Sequence, residues 1–430
     1  MKDTKAFVRL LIPLLAVAAF ASPVAAAPVA LSLDECVALA LKNNSSIVLA
    51  GLDRDKSLWA VKEAKAGKGP TISFTHTDSR YSTPPTATIP YYLWTTVYDN
   101  EIALSLPVYS GGKLESQIKQ AEFNVNVAEL AIEATRQQLQ QTVTNYYFSV
   151  LQYQNAVRVG QETVDNYQRH LLEVQTQYNV GVVSKADVLA SEVSLANAQD
   201  SLITAQNNYE LAMSSLSNET GLPLDSILQL KEELRYEAYL LPLDECVEFA
   251  LKNRPEMAQQ QVQIAIAQEE RIVAGSGYRP SVTFAASQDW YDEELPGSKN
   301  SNWLVSLTAS FNVFDSGLNK AKVKQANSNL DTVREQARQK RDSIALEVRQ
   351  YYLTMREAEK RMGTGKVTVA QAEENLKIAE ARYSAGVGTN LDVLDSVLAL
   401  NQAKMNDIQA LFDYNTNKAQ LIKVMGVQVQ

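Results

Sequence analysis

Residues 111–178 read GGKLESQIKQAEFNVNVAELAIEATRQQLQQTVTNYYFSVLQYQNAVRVGQETVDNYQRHLLEVQTQY and predict one uninterrupted α-helix. No proline occurs between Pro107 and Pro223, and after its first two residues the stretch contains a single glycine, Gly160. An apolar, aromatic or small residue recurs at every seventh position, which is the pattern of a coiled-coil seam. The seam consists of Ile118, Val125, Ile132, Leu139, Tyr146, Tyr153, Gly160, Tyr167 and Val174. At 1.5 Å per residue this helix would be about 100 Å long, far beyond the mean of globular proteins.

Residues 317–383 carry the same seven-residue pattern. This second seam consists of Val323, Leu330, Ala337, Ile344, Tyr351, Ala358, Gly365, Ala372 and Ala379. Each long stretch ends in a short turn, NVGVVS at 179–184 and SAGVGT at 384–389, and a helical pattern resumes after it. The sequence therefore predicts two long helical hairpins, formed by 111–178 with 185–219 and by 317–383 with 390–425.

The segments that precede the long helices are also duplicated. The motif LDECV at 33–37 recurs at 243–247, and the first copy begins a helix that we expect to run from Leu33 to about Lys65. Apolar and polar residues then alternate with a period of two, which predicts β-strands. The predicted strands are about 71–78, 101–109, 281–289 and 303–314. An internal duplication thus divides the chain into repeat 1 (27–222), an equatorial connector (223–242) and repeat 2 (243–430).

The first residues have the layout of a secretory signal peptide. Two lysines and an arginine precede the apolar run Leu10–Phe20, and small residues follow it. We expect residues 1–26 to be removed on export, and a retained signal anchor is the alternative. No other segment approaches eighteen consecutive apolar residues, so no transmembrane helix is predicted.

The number of strands limits how this chain could enter a membrane. Lipid accommodates only helices and closed barrels, because backbone polar groups find no water there. The smallest membrane barrels use about eight strands, so several protomers of four strands each would have to share one barrel. The alternative from the pattern alone is a soluble β-sheet that caps a helical stalk.

Composition and motifs argue against several functional classes. A net charge of −9 without a basic stripe argues against nucleic-acid binding. His76 and His170 are the two histidines, and neither lies near cysteines or carboxylates at ligand spacing, so no metal or cofactor is predicted. His170 is interpreted as a surface or packing residue. No phosphate loop, nucleophile elbow or dinucleotide fingerprint occurs, and we predict that the protein is not an enzyme.

Cys36 and Cys246 occupy equivalent positions in the two repeats. An even number of cysteines in an exported protein raises the possibility of a disulfide. Each cysteine also lies one turn into an amphipathic helix, where cysteine often serves as a small apolar residue. We favour free cysteines, with the disulfide as the alternative.

The signal peptide, the duplicated unit, the paired strands and the two long helices together resemble the TolC family of outer-membrane efflux ducts. The most specific motifs are the two hairpin tips, YNVGVVSKADVL at 178–189 and YSAGVGTNLDVLD at 383–395. The resemblance implies a mainly α fold with a membrane β-barrel portion. In that fold, a homotrimer shares a twelve-stranded β-barrel in the outer membrane, continued by a twelve-helix α-barrel tunnel through the periplasm. The implied partners are a periplasmic adaptor (membrane fusion protein), an inner-membrane transporter and outer-membrane lipid.

The resemblance also assigns roles to residues at the tips. The residues that match the family's adaptor-docking motif are Val180, Gly181, Val182, Ala385, Gly386 and Val387. Asp392 and Asp395 match carboxylates that project into the periplasmic entrance, and Asp187 and Tyr383 match a carboxylate–hydroxyl contact that holds the entrance shut. Helix capping is a second interpretation of Asp187 and Asp392, although it does not explain Asp395. Gly388 departs from the family, because some members have an arginine there, so the closing network should be weaker or differently connected.

The predicted function is that of an exit duct with a gated periplasmic entrance, serving a tripartite efflux pump or type I secretion. The duct would passively conduct substrates that an inner-membrane transporter delivers, and the sequence leaves drugs, metals, peptides and proteins open as substrates. The alternative is a structural or adhesive coiled-coil stalk, or a surface receptor, without transport.

Overall fold

The computed structural model describes residues 29–224, 226 and 228–427, and the predicted signal peptide over 1–26 lies outside them. The elements in chain order are β1 (Val29–Leu31), α1 (Leu33–Asn43), α2 (Ser45–Ala66), β2 (Thr71–Thr83), β3 (Leu93–Tyr109), α3 (Lys113–Asn179), α4 (Lys185–Thr220), β4 (Leu228–Leu230), α5 (Leu243–Asn253), α6 (Pro255–Gly275), a 3-10 helix (Ser276–Tyr278), β5 (Ser281–Asp292), β6 (Asn300–Ser310), α7 (Leu318–Ser384) and α8 (Asn390–Val424).

Two helices of 67 residues each, α3 and α7, set the length of the molecule. Each corresponds to about 100 Å and packs along its own return helix, α4 or α8. We call α3–α4 the first hairpin and α7–α8 the second hairpin. The two hairpins share an apolar core near their tips, because α3 also packs along α8. That core consists of Val164, Tyr167, Val174, Ala198, Leu376, Ala379, Tyr383, Val393, Leu394, Val397 and Leu400.

Among the helices that the structure describes, none combines the length and the apolar composition needed to cross a lipid bilayer.

The amphipathic helix at the start of each repeat is divided into two. The prediction of one helix from Leu33 to Lys65 is wrong, because the backbone of Asn44 is extended (ψ 132°). The Oδ1 atom of Asn44 accepts a hydrogen bond from the backbone N–H of Ser46 at 2.9 Å and thereby caps α2. In the second repeat the break falls at Arg254, which precedes a proline and therefore avoids the helical region.

Four strands form one antiparallel sheet in the order β2-β3-β5-β6. Within the described chain, β2 and β6 are therefore the two edges of this sheet. β2 and β3 are longer than predicted, since they pair as far as Thr83↔Leu93. The residues that the sequence assigned to the loop between them include β-branched and aromatic side chains, which suit a strand.

β6 ends earlier than predicted, at Ser310 instead of residue 314. Its partner Ser281 is the first residue of β5, and Pro280 before it has no N–H with which to extend the ladder. The chain then turns toward α7, where the Asp315 carboxylate accepts hydrogen bonds from the backbone N–H groups of Gly317 and Asn319, each at 2.9 Å.

The two faces of the sheet differ in polarity because the register aligns residues of like character across all four strands. One cross-strand row, on the apolar face, consists of Ile72, Leu104, Ala286 and Val305. A row on the opposite, polar face consists of Thr75, Glu101, Asp289 and Asn302. The sheet therefore presents one surface that suits an apolar environment and one that suits water.

The connector joins the two repeats at the equator of the helical part. Its short strand β4 pairs in parallel with β1, so the connector is fastened to the first repeat. Cys36 and Cys246 are fully buried in two separate apolar cores, and both thiols are free. Burial raises the pKa of the Cys36 thiol to about 12.

Candidate functional site at the hairpin tips

Both hairpins reverse through a Schellman turn centred on glycine. Gly181 has φ +78°, and its N–H donates to the carbonyl oxygen of Tyr178 at 2.9 Å. The N–H of Val182 donates to the carbonyl of Gln177, also at 2.9 Å. The second hairpin repeats these bonds around Gly386, which has φ +74°. A side chain is strained at such φ values, so the geometry of the reversal itself calls for glycine.

The residues predicted to dock an adaptor form an exposed apolar surface at each tip. Val180 and Val182 are 72% and 68% exposed, and Val387 is 68% exposed. Ala385 and both tip glycines are exposed as well. Each tip therefore exposes small apolar side chains on a hydrogen-bonded turn. No large side chain next to the glycines would block a partner.

Asp187 and Asp392 close capping boxes at the start of the return helices. One oxygen of the Asp187 carboxylate accepts the backbone N–H of Ser184 at 3.1 Å and the Ser184 hydroxyl at 2.7 Å. The Asp392 carboxylate accepts the backbone N–H of Thr389 at 2.9 Å, and the Thr389 hydroxyl accepts the N–H of Asp392 in return. The bond from the Thr389 backbone holds the pKa of the Asp392 carboxyl below its ordinary value. Capping is therefore present at both positions, while Asp392 stays exposed to solvent.

Asp395 lies one turn beyond Asp392 and is also exposed. It borders a shallow cleft between α4 and α8, together with the side chains of Leu189 and Leu398. Tyr167 underlies this cleft and donates its hydroxyl hydrogen to the carbonyl of Leu394 at 3.2 Å. Burial, and secondarily the charge of Asp395, raises the pKa of Tyr167. Asp395 takes no part in the capping box, so capping does not account for it.

The expected contact between Asp187 and Tyr383 is not made within the protomer. The Tyr383 hydroxyl is buried and has no hydrogen-bond partner among the described residues. The Asp187 carboxylate is engaged by Ser184 instead. Burial raises the pKa of Tyr383, and the negative charges of Asp187 and Glu173 add to this effect. The charge of Asp187 therefore acts on Tyr383 without a hydrogen bond between the two side chains.

Gly388 packs tightly against the end of α7. Its N–H donates to the carbonyl of Arg382 at 3.0 Å. A Cβ atom added at Gly388 would lie 3.0 Å from the backbone nitrogen of Tyr383 and 3.1 Å from the Cβ of Arg382. A side chain at this position would therefore require the end of α7 to give by a few tenths of an ångström.

Of the two interpretations of His170, a surface or a packing residue, the packing one is confirmed, but sequence reasoning missed its polar contact with Asn390. The side chain is 4% exposed, and its Nε2 lies 2.6 Å from Oδ1 of Asn390 at the start of α8. The imidazole also packs edge-on against the ring of Tyr383, with centroids 4.9 Å apart. A histidine on a helix flank and an asparagine at a helix start carry no signal of this pairing, because only the packing of α3 on α8 brings them together.

The tips carry no arrangement for metal chemistry. Over the described ranges, no group of three or more His, Cys, Asp or Glu side chains is placed to hold a metal ion. What the tips combine is an exposed apolar turn, two solvent-facing carboxylates on α8 and a buried polar contact between the hairpins. Such a site can bind a partner and attract cations.

Comparison with known proteins identifies similar chains. The family model described as "Outer membrane efflux protein" matches residues 36–222 and 247–427. The chain is 24% identical over 318 residues to outer membrane protein TolC of Escherichia coli, an alignment that covers 71% of this chain and 64% of that relative. The chain thus spans slightly less than two thirds of that relative. It is 22% identical over 382 residues to the cobalt-zinc-cadmium resistance protein CzcC of Cupriavidus metallidurans, with 89% and 86% covered.

The fold is also found among solved structures. A membrane protein from Pseudomonas aeruginosa superposes with a TM-score of 0.80 at 18% sequence identity, and the superposition covers 92% of each chain. At this identity the likeness concerns the fold alone.

Proposed function

The chain belongs to the outer membrane efflux protein family, and we propose that it is the exit duct of a tripartite efflux pump or a type I secretion system. In this function it passively conducts substrates from an inner-membrane transporter across the periplasm and the outer membrane. The predicted resemblance to the TolC family, the mainly helical fold class and the outer-membrane localisation are confirmed.

The proposal rests on a layer of four helices continued by four strands, which we call the wall. Both outer edges of this layer are without a partner in the described chain. The helices α2, α3, α6 and α7 pack side by side in the order of the strands that they adjoin, β2, β3, β5 and β6. The edge strands β2 and β6 have unpaired sides in the described chain, and the flanking helices expose large apolar residues. These residues are Leu49, Leu52 and Trp59 on α2 and Leu346, Leu353 and Val367 on α7. Unpaired edges and apolar flanks of this kind are interaction surfaces, and further copies of the same chain can complete them.

We propose that three copies close this wall around one axis. Each copy contributes four strands to a shared closed sheet and two hairpins to a tunnel below it. The apolar face of the sheet would contact outer-membrane lipid, because the opposite face carries Glu101 and Asp289 in one cross-strand row. Directly opposed carboxylates suit a water-filled interior better than lipid.

The hairpin tips would form the periplasmic entrance and meet a periplasmic adaptor. The exposed turns at Val180–Val182 and Ala385–Val387 support docking by a helical hairpin of such a partner. Asp392 and Asp395 would line the entrance, and six carboxylates from three copies would attract cations. The Asp187–Tyr383 contact stays a prediction for the assembled entrance, because the Tyr383 hydroxyl has no hydrogen-bond partner among the described residues.

The adhesive stalk is not favoured, since the matching family and the similar proteins are named for efflux and resistance. The family is one of efflux proteins and not of enzymes. That this chain has no enzymatic activity stays a prediction.

Ion selectivity in planar lipid bilayers tests the proposal. Purified oligomers should conduct, and the double variant Asp392→Asn with Asp395→Asn should lower the cation-to-anion permeability ratio toward unity. Asparagine at 392 keeps an oxygen that can accept the Thr389 N–H, so the change removes charge and preserves the cap.

The matched control is Asp331→Asn with Asp342→Asn, which removes two exposed charges from α7 at a distance of more than about 60 Å from the tip. This control should leave the permeability ratio unchanged. An oligomer that inserts into the bilayer and never conducts, in any of the three forms, would contradict the duct.

A further inference from the structure

A polar cavity of about 740 Å³ lies at the equator, between the connector and the helices α3 and α8. We call it the equatorial cavity, and the connector segment 231–237 covers it. This segment is fixed at both ends. The Nζ atom of Lys231 lies 2.8 Å from the Glu35 carboxylate, and the backbone oxygen of Glu237 accepts the Tyr414 hydroxyl at 2.6 Å. The fold therefore holds the cavity in shape, and its volume is typical of small-molecule sites.

The stripe of α3 that lines the cavity is polar, although a buried helical stripe is normally apolar. Gln137, Gln141 and Thr144 follow one another at helical spacing, and Asn415 faces the same cavity from α8. Gln137, Gln141 and Asn415 are only 4%, 6% and 7% exposed. The duplication shows that a long helix does not require an amide here, because Gln141 corresponds to Leu346 on α7, 205 residues later.

Each of these three buried amides has one polar atom without a partner. Oε1 of Gln137, Nε2 of Gln141 and Oδ1 of Asn415 make no hydrogen bond to any described residue, while the other polar atom of each amide is bonded within the chain. All three atoms stay accessible to a molecule of the size of water. The cavity therefore presents two acceptors and one donor on buried side chains, where an unmade hydrogen bond is costly.

The charged side chains that line the cavity balance one another. Four of them are cationic and four are anionic. Three of the four cations are already held in ion pairs. These pairs are Lys231–Glu35, Arg235–Glu233 and Lys418–Glu237. Because the lining has no excess of either sign, it favours a neutral ligand over an ion.

We propose that the equatorial cavity binds a neutral sugar that carries acetamido groups. An acetamido group offers one N–H and one C=O, and sugar hydroxyls both donate and accept, so such a ligand matches the free atoms of Gln137, Gln141 and Asn415. Phe148 lines the cavity one turn beyond Thr144 on the same stripe, and its ring can cover the apolar face of a sugar. The site lies about 50 Å from the hairpin tips, and binding there goes beyond conduction.

Binding of a defined sugar to the purified full chain tests the proposal. The probe is di-N-acetylchitobiose, and cellobiose is the control sugar because it has hydroxyls in place of the acetamido groups. The protein is kept in a detergent without a sugar headgroup. Two quantities are measured: the Kd by titration calorimetry, and the backbone amide hydrogen exchange of 137–148 and 231–237.

Two variants remove one free amide each and keep a side chain of similar size, Gln141→Leu and Asn415→Leu. The matched control is Gln168→Leu, which changes an exposed glutamine of α3 about 40 Å away. Circular dichroism checks that each variant keeps its helical content.

We expect di-N-acetylchitobiose to bind the wild type and to slow exchange at 137–148 and 231–237. Its Kd should rise about tenfold in Gln141→Leu and in Asn415→Leu and stay unchanged in Gln168→Leu. Cellobiose should bind at least about tenfold more weakly. Salt should have little effect on the Kd, because the ligand is neutral.

Equal affinity for the two sugars, or no binding of either, would overturn the proposal. A Kd that rises steeply with salt would show an ionic ligand and would overturn it as well. If neither leucine variant folds, the wild-type exchange decides, and protection outside 137–148 and 231–237 would refute the site. None of these measurements requires conduction, so their failure would leave the proposed duct untouched.

Discussion

Replacing Gly181 with Ala should destabilise the first hairpin through backbone strain alone. Gly181 has φ +78°, and a Cβ added there would meet no atom within 4 Å, so the change introduces no clash. An L-residue in the left-handed region costs about 1–2 kcal/mol. Alanine also restricts the unfolded chain, which returns about 0.4–1 kcal/mol. The net expectation is a loss of about 1 kcal/mol in the free energy of unfolding.

Gly363 supplies the matched control because it lies inside α7 and also has open space around its Cβ position. In a helix, Gly363→Ala should increase the free energy of unfolding by about 0.5–1 kcal/mol. The two alanine variants should therefore shift the midpoint of urea unfolding, followed by circular dichroism in detergent, in opposite directions. Midpoints that shift in the same direction by the same amount would refute the argument that the conformation of the tip requires glycine.

Two further predictions concern the tip and the equator. Gly388→Arg, which restores the arginine of some family members, should destabilise the second hairpin by about 1–3 kcal/mol, because its Cβ would lie 3.0 Å from the backbone nitrogen of Tyr383. Gly363→Arg, with no atom within 4 Å of its Cβ position, should be tolerated in the same urea assay, and equal losses in the two variants would contradict the steric argument. At the equator, burial raises the pKa of Glu256, but hydrogen bonding to Arg254 outweighs this, so the pKa lies below its ordinary value of 4.5. This ion pair should therefore stabilise the fold above pH 4.5 and lose its contribution as the pH falls through the lowered pKa. Glu256→Gln should flatten the acid limb of the stability curve, and an unchanged acid limb would show that the pair contributes nothing.

The long helices were predictable because their pattern is local. A heptad seam without proline fixes both the existence and the length of a helix, and the predicted spans 111–178 and 317–383 differ by one or two residues from Lys113–Asn179 and Leu318–Ser384. The turns at Gly181 and Gly386 were readable for the same reason, since a left-handed residue in a helix reversal favours glycine in any surroundings.

The wrong predictions concern positions where a contact with another residue or element sets the local structure. The first helix stops at Asn44 because the side chain of Asn44 accepts a hydrogen bond from Ser46 and caps α2. Helical periodicity does not reveal this bond. β6 ends at Ser310 because its partner strand begins at Ser281, so its boundary belongs to the pairing and not to its own alternation. His170 is buried because α8 and the ring of Tyr383 on α7 pack against it.

The duplication separates the residues that build a hairpin tip from those that make the two tips different. Both hairpins keep the glycine of the turn, a hydroxyl cap at Ser184 or Thr389 and an aspartate three residues later, so these features are needed to make a tip. The equivalent tyrosines, in contrast, have different surroundings, because Tyr178 is exposed while Tyr383 is buried against His170. Since the local structure is the same, this difference can come only from the contact between hairpins. The unlike residues at that contact therefore distinguish the two tips, and the shared tip motif alone cannot account for the difference.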